Sequence, residues 1–550
     1  MNPHEQTDVL VLQKLVVQLL NRQEDLVSEL AAMRKELDSA LDEIKRLKGE
    51  KGRPRFGPSG KKKDVKKLPK TNQTSSDSGP SSESKDSSAP SVDRVEFVDT
   101  KPLDLPSDAQ FKGYRSVYQK NIQIKRDNVE YKIARWYCPS EGRYYESNMP
   151  ASYRGQTGSM LMSFVQMLHH CGDMTHGKIR ELLAHFGLDL SGGGLSNMLT
   201  HSDWIEAERS ALLQASIEAS PYAQIDSTSS KEKGQRRYTQ IICGKYFSLF
   251  YSQVGRSRLD VYAALQGQAR QEVQLAYSLV SQERLRNAKV SKKHLAYFKQ
   301  TFSLGQILST QALQKIFDSE PIFAKTNTIR RSAIAGALAA GYYHQQTQMP
   351  RVEYLMSDDG REYWGIASKK QMHCWIHAIR HYRLLNPSND YFRDIHKTFM
   401  DKLWLFYQRM KNYKTLPLKK QIIEKKAIRA QFDQLFSPST DYEKLNKQIG
   451  ATQANREQLL TFLDHSILPL HNNAAERGAR RIVRKRDISF HTWSQRGTNI
   501  RDAFLSLDQT AKKLKIKFLD YILDRNSGKD QIDSMAQKVK NAYRYNPSTI

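Results

Sequence analysis

The sequence predicts an α/β catalytic core carrying large helical insertions, preceded by a helical region and a long N-terminal heptad helix. Three observations lead there. Residues 9–47 repeat apolar side chains at heptad spacing. Two short apolar runs, Tyr222-Ala223-Gln224-Ile225-Asp226 and Tyr354-Leu355-Met356-Ser357-Asp358-Asp359-Gly360, each end on an acid and lie far apart, separated largely by charged stretches of helical period. The run Leu470-His471-Asn472-Asn473-Ala474-Ala475-Glu476-Arg477-Gly478-Ala479-Arg480-Arg481 then places one acid near a helix start with arginines packed around it.

Bulk properties narrow the class. At 550 residues the chain is long enough for two or three domains with cores of their own. It holds 86 Lys and Arg against 58 Asp and Glu, a net charge of +28, which calls for a polyanionic partner; nucleic acid is the commonest. A membrane surface is the rival, but no apolar run approaches the roughly 18 residues a spanning helix needs. The N-terminus lacks a basic-then-apolar signal pattern. Four cysteines, Cys138, Cys171, Cys243 and Cys374, lie far apart without a Cys-x-x-Cys pair. That fits a reducing cytoplasm and speaks against a zinc site or a disulfide framework.

Taken in order, Val9, Val16, Gln23, Leu30, Leu37 and Ile44 recur at seven, and Leu12, Leu19, Leu26, Met33, Ala40 and Leu47 follow three residues on. Such a seam makes residues 1–48 a coiled coil, with polar Gln23 setting register. An amphipathic helix packed on its own core is the alternative. Residues 49–105 read as a linker, basic from Lys51 to Lys70 and Ser-rich after Thr71, too polar to form a core. Residues 106–220 read as a helical DNA-binding region. Within 159–204, helices over Ser159–Cys171, Thr175–Phe186 and Leu195–Trp204 flank a Gly187 turn, a helix-turn-helix plan that is also the plan of a plain small bundle.

A catalytic domain is expected over 221–530. A strand ends at Asp226, a hairpin joins Arg237–Cys243 to Tyr246–Val254 through Gly244-Lys245, and a helix follows over Leu259–Gln266. Further strands are expected at Val352–Met356 and Gln371–Trp375, with helical insertions near 270–345 and 390–465. Residues 531–550 read as a basic tail.

Each acid has two readings. Asp226 is a metal ligand or the cap of a polar loop. Asp358-Asp359-Gly360 is a ligand-bearing strand end or an ordinary Asp-Gly turn, and Asp359 points to the opposite face if the strand continues. Asn473-Ala474-Ala475-Glu476 has the form of a capping box. His377 is a phosphate or proton-transfer group or a core histidine, and Cys374 is a small buried hydrophobe.

The run Asn472-Asn473-Ala474-Ala475-Glu476-Arg477, with Cys374-Trp375-Ile376-His377-Ala378 and Asp358 five residues before Tyr363, resembles the core of bacterial transposases of insertion-sequence family sixty-six. The resemblance spans roughly residues 150–530. It implies a ribonuclease-H-like core of the DDE type in which Asp226, Asp358 and Glu476 hold two ions of Mg²⁺ or Mn²⁺ and act catalytically, with Asp358 favoured over Asp359 by its spacing to Tyr363. It also implies contact with nucleic acid through Arg477, Arg480, Arg481, Arg484, His377 and Arg380. The expected activity is binding of transposon ends, cleavage, and joining to target DNA. The partners expected are the DNA ends and target, a second copy through the coiled coil, and accessory proteins of the same element. Many relatives carry a cysteine-based zinc motif before the core; Trp136-Tyr137-Cys138-Pro139 leaves a lone cysteine here, so that metal is not expected. The rivals are a non-catalytic dimeric DNA-binding derivative and a nuclease without strand transfer.

Overall fold

The computed structural model describes residues 3–47, 92, 94–98, 106, 109–122, 124–150, 153, 155–200, 203–437 and 439–545. Most of the expected linker, 49–105, lies outside them. The chain divides into one unit of residues 1–28 with 129–550 and another of residues 29–128. In the second, Phe97 and Phe111 each meet Tyr114 edge to face, with centroids 5.0 and 5.2 Å apart.

The heptad segment is one continuous helix, α1 (Pro3–Leu47). Its seam stays in water: Leu12, Leu19 and Leu30 are 61, 63 and 57% exposed. A different face of its first part, which belongs to the larger unit, packs within that unit. Asn21 donates to the Asp441 carbonyl at 2.8 Å and accepts the Glu443 amide at 3.1 Å. Glu24, 4% exposed, accepts the Ser388 amide at 2.9 Å. The buried polar atoms thus find partners, and the apolar stripe is left over.

Three short helices follow: α2 (Ser159–Gln166), continued by a π-turn to Cys171, then α3 (His176–Ala184) and α4 (Gly192–Thr200). Thr175 caps α3 by accepting the Lys178 amide. Ser191 accepts the Gly194 amide at 3.0 Å, so the three glycines form the first turn of α4 and do not precede it. The third helix therefore starts and stops earlier than its hydrophobic pattern indicates. Trp204 belongs to the next helix, α5 (Asp203–Ala219). Val165, Ile179, Leu183, Leu195, Met198 and Leu199 form the small core of α2–α4.

The larger unit is mixed α/β, built on a five-stranded sheet. Its strands are β1 (Ala223–Glu232), β2 (Gln235–Cys243), β3 (Ser248–Gln253), β4 (Tyr354–Ser357) and β5 (Lys370–His373), in the order β3-β2-β1-β4-β5. The first three are antiparallel; β4 lies parallel to β1, and β5 parallel to β4. The strand carrying Asp226 does not end there. It runs on to Glu232 because β2 pairs it the whole way, Asp226 facing Ile241. Pairing with β4 stops at Gln224↔Met356, so the opening lies on one edge of β1 and not at its end. Trp375 is likewise not in a strand. β5 closes at His373, and Trp375 starts the helix α6 (Trp375–Arg383), its amide bonding the Leu470 carbonyl at 3.0 Å.

The first insertion is mostly helical but includes an antiparallel ribbon, Gln274–Ala276 with Ile307–Ser309. The second is helical, with a separate core in which Trp375 packs on Phe406, Phe432 and Phe436. Two helices then cover the sheet: α7 (Asn473–Ser489), which carries Glu476, and α8 (Gln495–Lys513). The expected basic tail contains a helix, α9 (Met535–Tyr545), whose Met535, Val539 and Tyr543 are buried at helical spacing. The high charge of this stretch hides that stripe in a composition-based reading.

A bare edge would leave the outward amides of β3 unpaired. Helix α8 meets them with side chains spaced four apart. Asp502, Ser506 and Thr510 accept the amides of Ser252, Phe250 and Ser248 at 2.7, 2.9 and 3.1 Å. Ser506→Ala leaves the Phe250 amide without its acceptor and is expected to lower unfolding free energy by about 1–3 kcal/mol. Denaturant titration checks this, and a midpoint equal to wild type removes the edge-covering role.

Candidate active site

Asp226, Asp358 and Glu476 come from β1, from the turn after β4 and from the first turns of α7. Their approach follows from the sheet register. Ala223 pairs with Leu355 and Gln224 with Met356; carried two residues further, the same offset sets Asp226 level with Asp358. This is the parallel junction of the sheet, at the carboxyl end of β4, where α/β sheets open a crevice.

Asp226 accepts the Ser227 amide at 2.8 Å, and Asp358 accepts the Gly360 amide at 3.0 Å. The turn at Asp358 is therefore real, and it coexists with a position facing Asp226. Asp359 turns away to His381, 3.2 Å distant, and is 52% exposed. Burial pushes the Asp226 carboxyl up to about 6; Asp358 and Glu476 add to the rise, which the Ser227 amide and Arg380 only partly offset. The charges of Asp358 and Glu476 thus reach Asp226 across a half-buried space.

The capping-box reading of Glu476 fails on geometry. The N-cap of α7 is Asn472, one residue earlier, and its side chain makes no capping bond. Instead Asn472 Nδ2 donates to the Ile225 carbonyl at 2.7 Å, and its amide donates to Cys374 Sγ at 3.2 Å. Its side chain is spent tying α7 to β1 beside Asp226. Glu476 is left facing the site, with His377 Nδ1 at 3.7 Å and Arg380 at 3.9 Å from Oε1. Gly478 allows α7 to lie this close, since a Cβ there would stand 2.7 Å from Ile241 Cγ2. Residues to each side of it, Ala475 and Ile482, are buried against the sheet.

The donor set suits a hard cation. Two aspartates and a glutamate offer oxygen ligands, and Glu476 Oε1 is buried without a hydrogen-bond partner. Cys374, His377 and Glu476 also present ligand atoms within 4.8 Å of one another. Burial raises the Cys374 thiol, however, and it already accepts the Asn472 amide. A protonated sulfur is a poor ligand for the softer metals.

The arginines of α7 divide. Arg477, Arg480 and Arg484 are exposed on one face. Arg481 is not with them: it is 13% exposed, paired with Asp173, and donates to the carbonyls of His170 and Cys171 at 3.1 and 2.8 Å. It fastens α7 to the end of α2, a role its place in the arginine run conceals. Arg380 is half-exposed at the rim. Burial and Arg380 lower His377 below the ordinary imidazole value, while Glu476 and the two aspartates pull it back.

Two further residues border the acids: His373, which was not singled out from sequence, and Tyr363, which served there only as a spacing mark. His373, 4% exposed, closes β5 with neither ring nitrogen hydrogen-bonded, and the charges of Asp359 and Asp358 reach it. Tyr363 is buried beside both Asp226 and Asp358; burial is the main cause of its strongly raised phenol pKa. The adjacency of His373 to Cys374-Trp375 was the available signal for the first.

Residues 327–500 match the model of the Transposase IS66 family. The matched stretch holds Asp358, His377 and Glu476, so in that stretch the chain is similar to transposases of this family; Asp226 lies upstream of the matched residues. An uncharacterized protein, y4jO of Sinorhizobium fredii (strain NBRC 101917 / NGR234), is 27% identical over 321 residues, covering 57% of this chain and 94% of its own length. No solved structure matches the chain. Among the described residues, no helix is long and apolar enough to cross a membrane.

Asp226→Asn removes a carboxylate whose folded pKa, about 6, stands above the ordinary aspartate value of 3.8. The raised value penalises folding above pH 6 and not below about 4. In chelator, the variant is expected to be more stable than wild type by on the order of 1–2 kcal/mol at pH 7.5, the gain vanishing at pH 4. Thermal melts at the two pH values decide it; equal gains at both would exclude the cost of charging the buried carboxyl as the cause.

Proposed function

We propose that the protein is a DNA transposase with a ribonuclease-H-like core, in which Asp226, Asp358 and Glu476 ligate two divalent cations, Mg²⁺ or Mn²⁺. The observation that carries this is the register that sets Asp226 level with Asp358 across the β1–β4 junction, with Glu476 released from helix capping and its charge reaching Asp226. The sheet order supports the core assignment: an antiparallel trio continued by two parallel strands, with one acid on the central strand and one in the turn after its parallel neighbour. When bound, such ions activate the attacking water or 3′-hydroxyl and stabilise the leaving oxygen.

The protein groups have separable tasks. Asp226 and Asp358 come from the rigid sheet and set the position of the site. Arg380 and His377, beside Glu476, hold the phosphate to be cut. Arg477, Arg480 and Arg484 form an exposed stripe along α7 that tracks the DNA backbone. The net charge of +28 concentrates DNA around the protein, which fits work at the bacterial nucleoid in the cytoplasm. The exposed heptad seam of α1 suits pairing with a second copy, so that two DNA ends are held together.

Purified protein incubated with Mg²⁺ and labelled DNA bearing element ends is expected to give cleaved and joined products. Asp226→Asn, Asp358→Asn and Glu476→Gln are expected to bind but give neither. Cleavage without joining would mark a nuclease. Products formed by any of the three variants would remove that acid from the site.

A further inference from the structure

A second site lies at the far end of the two elements that carry Asp226 and Glu476. There β1 and α7 border a cavity of about 550 Å³, walled by α3, α4 and the loop 489–494. The loop is strained and tightly held. Phe490 has φ 57° and ψ −58°, and the His491 amide turns back to the Ser489 carbonyl at 2.6 Å, a γ-turn with positive φ on an aromatic residue. Thr492 pins it to the sheet: its amide donates to the Lys231 carbonyl at 3.2 Å, and its carbonyl accepts the Lys233 amide at 2.8 Å.

This rigid loop nevertheless displays its aromatic residues to solvent. Phe490 is 71% and Trp493 77% exposed, with the His491 ring 4.5 Å from that of Trp493. Backbone strain of this kind collects at ligand clamps and switch regions, and here it stands beside two large apolar side chains left in water. Cations stand around it. Lys231 is exposed, and Arg486 lines the cavity while bonding Ser229 at 2.8 and 2.9 Å. Aromatic faces beside cations suit a nucleobase with its phosphate.

We propose that this cavity takes a nucleotide unstacked from the DNA, its base lying on Trp493 and Phe490 and its phosphate on Lys231 and Arg486. The position sets which nucleotide. From Glu476 to Arg486 is ten residues of helix, about 15 Å; stacked DNA advances about 3.4 Å per base pair. The captured base therefore lies about four or five nucleotides from the scissile phosphate, and its removal from the stack holds the cut end in register. The placement rests on the transposase reading above; the affinity of the cavity for an unpaired base does not.

The test uses the full chain in chelator, with a fluorescein-labelled twelve-nucleotide oligothymidine and a labelled thirty-base-pair duplex. Trp493→Ala is expected to weaken binding of the single strand about tenfold or more, without changing the salt dependence, because no phosphate contact is lost. Trp493→Phe is expected to restore most of it, and duplex binding to change less than twofold. The side chain is exposed, so unchanged melting is the control for folding. If Trp493→Ala and Phe490→Ala bind the oligothymidine as wild type does, the pocket proposal is overturned, while metal-dependent cleavage by wild type still upholds the transposase. If either variant changes the sedimentation coefficient and not DNA binding, the loop is a contact between copies, and the proposal is likewise overturned. Failure of wild type to bind or cut any DNA would remove both.

Discussion

The site depends on Asn472. Its side-chain amide holds the Ile225 carbonyl, and its backbone amide holds Cys374 Sγ. One residue therefore joins the strand before Asp226, the segment before His377 and the helix carrying Glu476. These parts lie 247 and 98 residues from it in sequence. At 1% exposure the bond is made out of water, where leaving the Ile225 carbonyl unpaired costs more than making the bond gains. That asymmetry keeps the helix from sliding along the sheet.

Around this junction the acids do opposed things to stability and to chemistry. Burial penalises the charge on Asp226, and the charges of Asp358 and Glu476 add to that penalty. A fold built for stability alone would not gather them. The cost is borne by the surrounding frame: the covered edge of β3, the second core around Trp375, and the bond from Trp375 Nε1 to the Leu459 carbonyl at 2.8 Å. The insertions are thus not appended to the sheet. The second is packed on the very helix that presents His377 and Arg380.

The arginine run of α7 shows how one helix serves two surfaces. Arg477, Arg480 and Arg484 stay in water, while Arg481 and Lys485 turn toward α2 and share Asp173. Charge count along the helix treats them alike. Only the packing partner separates an exposed cationic stripe from an inward tie, because the helix repeat puts residues 477, 481 and 485 close to one another in angle.

Much was nevertheless legible without coordinates. The heptads of α1, the apolar strands and the helical insertions follow from periodicity, which reports the face each residue must bury. The three acids stood out as candidates because a DDE transposase resemblance attached to short motifs around them. Local pattern misled where a distant partner decided the outcome. Asn473-Ala474-Ala475-Glu476 satisfies the capping box in sequence, yet the helix begins one residue earlier because Asn472 is drawn to Ile225. Strand β1 passes through Asp226 because β2 pairs it, and α9 folds because its three apolar residues find α5. By itself the sequence determined the elements, the charge and the acids on offer. Tertiary structure alone decided which acid is free, which arginine is buried and where an aromatic loop is held open, since each rests on hydrogen bonds between residues far apart in the chain.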